Sequence, residues 1–140
     1  MDISSMRRGH EVKDVRPEHY LEAIYVLSRS GRVTLSALAD ALGVKPSSAQ
    51  KMLRRLEAQG YVVYRGRGGV EMTERGLALV SSLNRAHRVL AEFFKLIGVE
   101  ENLAETEAEK LEHLVDFKVV EKIAEVVEVL KKLRELSCRA

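Results

Sequence analysis

The sequence predicts a mainly α-helical chain with one small β-hairpin, divided into two units of different character. Apolar residues recur at helical spacing through most of the 140 residues, and the period changes only once, at Tyr61-Val62-Val63-Tyr64. The charge also divides. Residues 1–82 hold 13 Lys and Arg against 9 Asp and Glu, whereas residues 83–140 hold 10 against 12. With 46% apolar residues the chain can build a core, and no apolar stretch escapes charge for long enough to cross a bilayer. The opening Met1-Asp2-Ile3-Ser4-Ser5-Met6-Arg7-Arg8 has no run of signal-peptide length, so a cytoplasmic protein without membrane contact is expected. A single cysteine, Cys138, excludes an internal disulfide framework and any cysteine-rich zinc site.

Residues 1–16 are polar and end at Pro17, which predicts a basic N-terminal arm. Pro17 suits the first turn of a helix whose apolar positions are 20, 21, 24, 25 and 27, and Ser30-Gly31 ends it. Thr34 can cap a short helix, Leu35 to Leu42, that exits at Gly43. After a three-residue turn, Pro46-Ser47-Ser48 opens a third helix with Ala49, Met52, Leu53 and Leu56 as its buried stripe and Gly60 as its stop. Tyr61 to Tyr64 then reads as a strand, Arg65-Gly66-Arg67-Gly68-Gly69 as a turn, and Val70 to Thr73 as the returning strand. In this order the elements make an N-terminal winged helix-turn-helix over residues 17–82.

Thr73 can cap the next helix, which runs unbroken by proline from Glu74 to Ile97 and stops at Gly98. An acidic stretch, Glu100 to His113, contains a further helix, and Val119 to Leu136 makes the last. Residues 83–140 are therefore expected to form a C-terminal all-α dimerisation domain. So few helices make a thin core, and an apolar stripe of this size predicts burial against a second copy in a twofold homodimer.

The third helix is the candidate reader of double-stranded operator DNA. Its polar face offers Ser47, Ser48, Gln50, Lys51, Arg54 and Arg55, with Lys45 just before it. Gln50 and Lys51 are assigned to base edges, because Gln can hold adenine bidentately and Lys can reach guanine O6 or N7. Ser47, Ser48, Arg54 and the wing residues Arg65 and Arg67 are assigned to the phosphate backbone. Any one of these, taken singly, reads equally well as an ordinary solvated side chain, but their order brackets a major groove in a way that scattered polar patches do not.

Three of the four histidines lie inside predicted helices near carboxylates. Glu109, Glu112 and His113 stand at i, i+3 and i+4 and are expected on one helical face, and His19 and Glu22 are likewise at i and i+3. His87 stands among Arg85, Ala86 and Arg88. Imidazole and carboxylate donors without thiolate suit Mn²⁺, Fe²⁺, Co²⁺ or Zn²⁺. Six carboxylates between Glu100 and Glu112 face only Lys110, and a dication would relieve their repulsion. Taken alone, an E-x-x-E-H string also arises in any Glu-rich solvated helix.

The strings Pro46-Ser47-Ser48-Ala49-Gln50-Lys51-Met52, Arg85-Ala86-His87-Arg88, Leu96-Ile97-Gly98-Val99 and Glu109-Lys110-Leu111-Glu112-His113, with the hairpin, stand in one register over residues 18 to about 136. In that register the chain resembles the diphtheria toxin repressor family of metal-dependent transcriptional regulators, and most of all its short manganese-responsive branch. The resemblance implies a repressor of metal-uptake genes whose ion is held by His19, Glu22, His87, Glu109, Glu112 and His113. It also implies Mn²⁺ as the cofactor. His19 stands where that branch has Asp, and this imidazole admits Fe²⁺, Zn²⁺ or Co²⁺. Glu109 takes the place of the Cys of iron-type members, while Ala91 and Glu105 replace two ligands of their ancillary site.

The resemblance implies a coupling between metal and DNA. An ion shared by the first helix and the later helices would restrict the angle of the reading heads, which must stand about 34 Å apart to meet successive major grooves. Two other classes compete. One is a metal-independent winged-helix regulator responding to a small molecule. The other is a carboxylate-bridged metalloenzyme, for which the sequence lacks any Glu-x-x-His repeat.

Overall fold

The computed structural model describes residues 15–139, with side chains to Cys138, so nearly all of the arm expected over residues 1–16 lies outside the described residues. The chain divides into two compact units, up to Val80 and from Ser81 on.

In the first unit, α1 (Pro17–Ser28) follows an extended Arg16 with Pro17 in its first turn, and it buries Tyr20, Leu21, Ala23 and Ile24. Helix α2 (Leu35–Leu42) is capped by Thr34, whose Oγ1 accepts from the Ala37 N–H at 3.1 Å. It ends at Gly43, whose φ of +67° lets the chain turn sharply into α3 (Pro46–Ala58). Ala49, Leu53 and Leu56 of α3 are buried, whereas Met52, expected with them, is half-buried at the edge of the stripe. Strands β1 (Val62–Tyr64) and β2 (Val70–Met72) pair antiparallel, with Val63 opposite Glu71. A single 3₁₀ turn, Gly66–Gly68, forms the tip.

The hairpin is fixed to the helices at both ends. Val70 donates to the Val33 carbonyl at 2.9 Å, adding the segment before α2 to the ladder. Gly69 has φ +91°, and a Cβ there would lie 2.8 Å from the Val33 oxygen, so only glycine fits this crossing. The core is built from α1, α2, α3 and the inward residues Val33, Val62 and Val70 of the ladder. Its fully buried Leu21, Ile24, Leu38, Leu53 and Leu56 each stabilise the unit by roughly 1.5–3 kcal/mol.

Helix α4 (Glu74–Leu96) opens at Thr73, whose hydroxyl accepts from the Gly76 N–H at 3.2 Å and donates to the Gly60 carbonyl at 2.6 Å. In the second unit α4 is followed by α5 (Glu101–Leu111) and α6 (Phe117–Arg139). Glu100 caps α5 with both carboxylate oxygens, accepting from Asn102 and Leu103 at 3.0 Å, and these bonds hold its carboxyl below the ordinary value. Asp116 Oδ1 accepts from the Lys118 N–H at 2.8 Å, which starts α6 two residues earlier than the apolar pattern at Val119 predicts.

The second core is small, as its apolar content predicts. Ala86, Val89 and Val120 form one buried cluster, and Leu90, Ala91 and Ala108 another. A bidentate Arg85–Glu121 pair, at 2.6 and 3.1 Å, and a Lys131–Glu92 pair tie α6 to α4. On the other side of α6, Val119, Val126, Val129, Leu133 and Leu136 are exposed at heptad-like spacing.

Candidate nucleic-acid interface and metal centre

Helix α3 turns its polar face outward. Ser47, Lys51 and Arg54 recur at i, i+4 and i+7, and all three are exposed together with Lys45 and Ser48, while Gln50 is half-buried beside them. The wing residues Arg65 and Arg67 are exposed at the hairpin tip. Arg65 reaches Glu71 at 3.6 Å, an exposed pair that costs little to break.

Two contacts that the sequence pattern did not disclose join reading helix to wing. Glu57 Oε2, near the end of α3, accepts from the Tyr64 N–H at 2.7 Å, and the Arg54 guanidinium lies 6.0 Å from the centroid of the Tyr64 ring. The turn after α3, where the Gly60 and Tyr61 N–H groups bond back to Glu57 and Leu56, folds β1 against the helix and brings these residues together.

The metal candidates fall in both units. On α1, His19 is half-buried and Glu22 is 2% exposed. In the second unit His87 Nδ1 lies 3.0 Å from Glu112 Oε2, and Glu112 Oε1 lies 3.2 Å from His113 Nε2. A buried carboxylate thus stands between two imidazoles. Burial pushes the Glu112 carboxyl up, but hydrogen bonds with His113 and His87 outweigh it and hold the group below its ordinary value.

Glu109 is brought to none of these. It is exposed on α5, whereas Glu112, whose N–H still bonds to the Ala108 carbonyl at 2.9 Å, closes the last turn of the same helix with His113 beside it. Position 105, by contrast, enters the cluster. Glu105 Oε2 lies 2.6 Å from His87 Nε2, and its other oxygen accepts from Lys95 Nζ at 2.6 Å. Lys95 first and His87 second hold the Glu105 carboxyl below its ordinary value. The sequence signal was available: Glu105 and Glu112 are seven residues apart, two turns along one face of α5. His87 is raised from 6.5 to about 9, chiefly by its bond with Glu112 and further by Glu105, against the opposing effect of burial.

Glu22 and Glu112 are the buried charged residues among the described part of the chain. Burying a carboxylate is costly unless a cation or donors accompany it. Imidazole and carboxylate donors around such groups fit a borderline or hard divalent ion. No helix among the described residues is long and apolar enough to cross a membrane.

Comparison with known proteins agrees with both halves of this geometry. Residues 15–70 match the DNA-binding domain of iron-dependent repressors, and residues 73–134 match their metal-binding and dimerisation domain. The chain is 34% identical over 116 residues to the HTH-type transcriptional regulator MntR of Lysinibacillus sphaericus (strain C3-41), covering 82% of this chain and 84% of that protein. A hypothetical protein, SSo2273 of Sulfolobus solfataricus, shares its fold with a TM-score of 0.72 and 25% identity over 79% of this chain and 85% of that one. A manganese-dependent transcriptional repressor, solved in complex with manganese, gives a TM-score of 0.66 at 28% identity over 81% of this chain, which spans 53% of that longer one. The matched domains are those of regulators rather than enzymes, and they bring with them DNA, a divalent metal ion and a second copy of the chain as partners. The chain belongs to the iron-dependent repressor family, as a metal-dependent DNA-binding transcriptional regulator with both domains of that family present.

Proposed function

We propose that this cytoplasmic regulator is a manganese-responsive repressor whose ion is held by His19, Glu22, His87, Glu109, Glu112 and His113. The observation that carries the reading is the burial of Glu22 and Glu112, two carboxylates that a dication would stabilise where water does not reach. Mn²⁺ is supported by the three carboxylates in the donor set and by solved manganese regulators that the chain resembles. His19 keeps Fe²⁺, Zn²⁺ and Co²⁺ as alternatives. Glu109 enters this set through its place in the E-x-x-E-H string, and as an exposed side chain it would turn toward the ion to ligate.

Gln50 and Lys51 are proposed to read base edges of operator DNA. Lys45, Ser47, Ser48, Arg54, Arg65 and Arg67 are proposed to hold its backbone. The α6 stripe of Val126, Val129, Leu133 and Leu136 supplies an apolar face for the second copy. The proposed ligands come from both matched domains, so ion binding reduces the freedom of each dimer's reading heads, and linkage makes DNA raise metal affinity by the same factor.

The test is a titration of DNA binding, on duplexes enriched from a random pool in the presence of Mn²⁺, repeated with Fe²⁺, Zn²⁺, Co²⁺ and chelator. Binding is expected with Mn²⁺ and to be lost with chelator. Equal affinity in all five conditions would sink the metal switch, and the metal-independent regulator would replace it.

A further inference from the structure

His87 has both ring nitrogens engaged, by carboxylates of different character. Nδ1 faces Glu112, which is buried and adjoins His113. Nε2 faces Glu105, which is half-buried and already neutralised by Lys95 through its second oxygen. A cation drawn to Glu105 competes with the Lys95 ammonium at 2.6 Å, whereas one drawn to Glu112 meets imidazoles, which turn into ligands on losing a proton. The two sides of the ring are thus chemically distinct.

We propose that His87 offers Nδ1 to the ion, and that Glu105, anchored by Lys95, is the positioning residue that holds the ring through Nε2–H. The proposal rests on the reading of His87, Glu112 and His113 as ligands. Imidazoles that bind metal generally donate their other N–H to a carboxylate, which fixes the tautomer, orients the ring and raises its basicity. Glu105 meets that requirement from α5, seven residues before Glu112, so one helix supplies both the support and the proposed ligand. Lys95, near the end of α4, keeps the Glu105 oxygens in place and its charge fixed.

The full chain is compared with Glu105→Ala, Glu105→Gln, Lys95→Met and His87→Ala by two readouts. One is Mn²⁺ affinity by competition with a fluorescent chelator. The other is the ¹⁵N spectrum of the His87 ring in protein loaded with diamagnetic Cd²⁺. Glu105→Ala is expected to weaken Mn²⁺ binding by about 10- to 100-fold. Glu105→Gln, which retains an acceptor oxygen, should recover part of the loss, and the wild-type ring should carry its proton on Nε2 and cadmium on Nδ1. Unchanged or tighter Mn²⁺ binding by Glu105→Ala overturns the proposal, as does cadmium on Nε2. If Glu105→Ala does not fold, Lys95→Met and the ring spectrum decide the matter alone. His87→Ala separates the two levels: should it bind Mn²⁺ like wild type, the ligand reading itself falls, whereas a loss in His87→Ala without a loss in Glu105→Ala removes only the positioning role.

Discussion

Glu57 accepts a 2.7 Å hydrogen bond from the backbone N–H of Tyr64, joining the end of the reading helix to the first strand of the wing. The bond ends a run of the chain that would otherwise rely on two three-residue strands for its direction. Removing it with Glu57→Ala is expected to cost about 0.5–1.5 kcal/mol of stability in urea denaturation. It should also speed hydrogen exchange at the Tyr64 amide more than at Val62. Unaltered exchange at Tyr64 would show that the ladder alone sets the wing.

The residues proposed to read bases and those proposed to hold the backbone should separate by how their loss depends on sequence and salt. Lys51→Ala is expected to narrow the gap between operator and random DNA by about 1–3 kcal/mol. Arg67→Ala should weaken both about equally and lower the slope of log affinity against log salt by about one. Fluorescence anisotropy over a range of salt concentrations measures both quantities.

His87 makes metal binding and metal-free stability respond to pH in opposite directions. Its folded value of about 9 lies above the ordinary 6.5, so the hydrogen bonds with Glu112 and Glu105 contribute fully below about pH 6.5 and are lost as pH rises toward 9. The chelated protein is therefore expected to melt at a lower temperature at pH 9 than at pH 6.5. As a ligand in the proposed site the ring must be neutral, so Mn²⁺ affinity should instead rise over the same interval, by up to about tenfold per pH unit. Anaerobic titrations at three pH values check it, and a flat profile would mean that His87 keeps its proton.

Gly76 is predicted to resist replacement despite lying in a helix. A Cβ there would come within 2.3 Å of the Tyr61 carbonyl oxygen, a backbone atom with no freedom to move aside. Alanine gains about 1 kcal/mol in helix propensity, but the clash at the start of α4 costs more, so Gly76→Ala should be destabilising by roughly 1–3 kcal/mol in thermal unfolding.

Much of this architecture was legible in the chain because it depends on local chemistry. Pro17 and Pro46 mark helix starts, Thr34 and Thr73 cap, Gly43 and Gly98 stop, and each acts within one turn of its own position. Contacts set by tertiary register were not legible. Nothing in the spacing of Glu57 and Tyr64, or of Lys95, Glu105 and His87, announces that they meet. For the candidate metal ligands, the E-x-x-E-H string predicts a shared helical face but carries no information on burial. Within it Glu109 is exposed and Glu112 buried, a difference that comes from what packs against the helix end and not from spacing.

With a second copy covering the outward stripe of α6, as proposed, the protein's endurance becomes a matter of concentration. The buried apolar residues described in the second unit are few and many of them small or peripheral, with clusters of three around Val120 and Leu90, and Leu133 and Leu136 stand 57% and 64% exposed on the single chain. Mass action then governs how much of this half stays folded: dilution withdraws the cover over those leucines, and the melting temperature should climb with each increase in total protein.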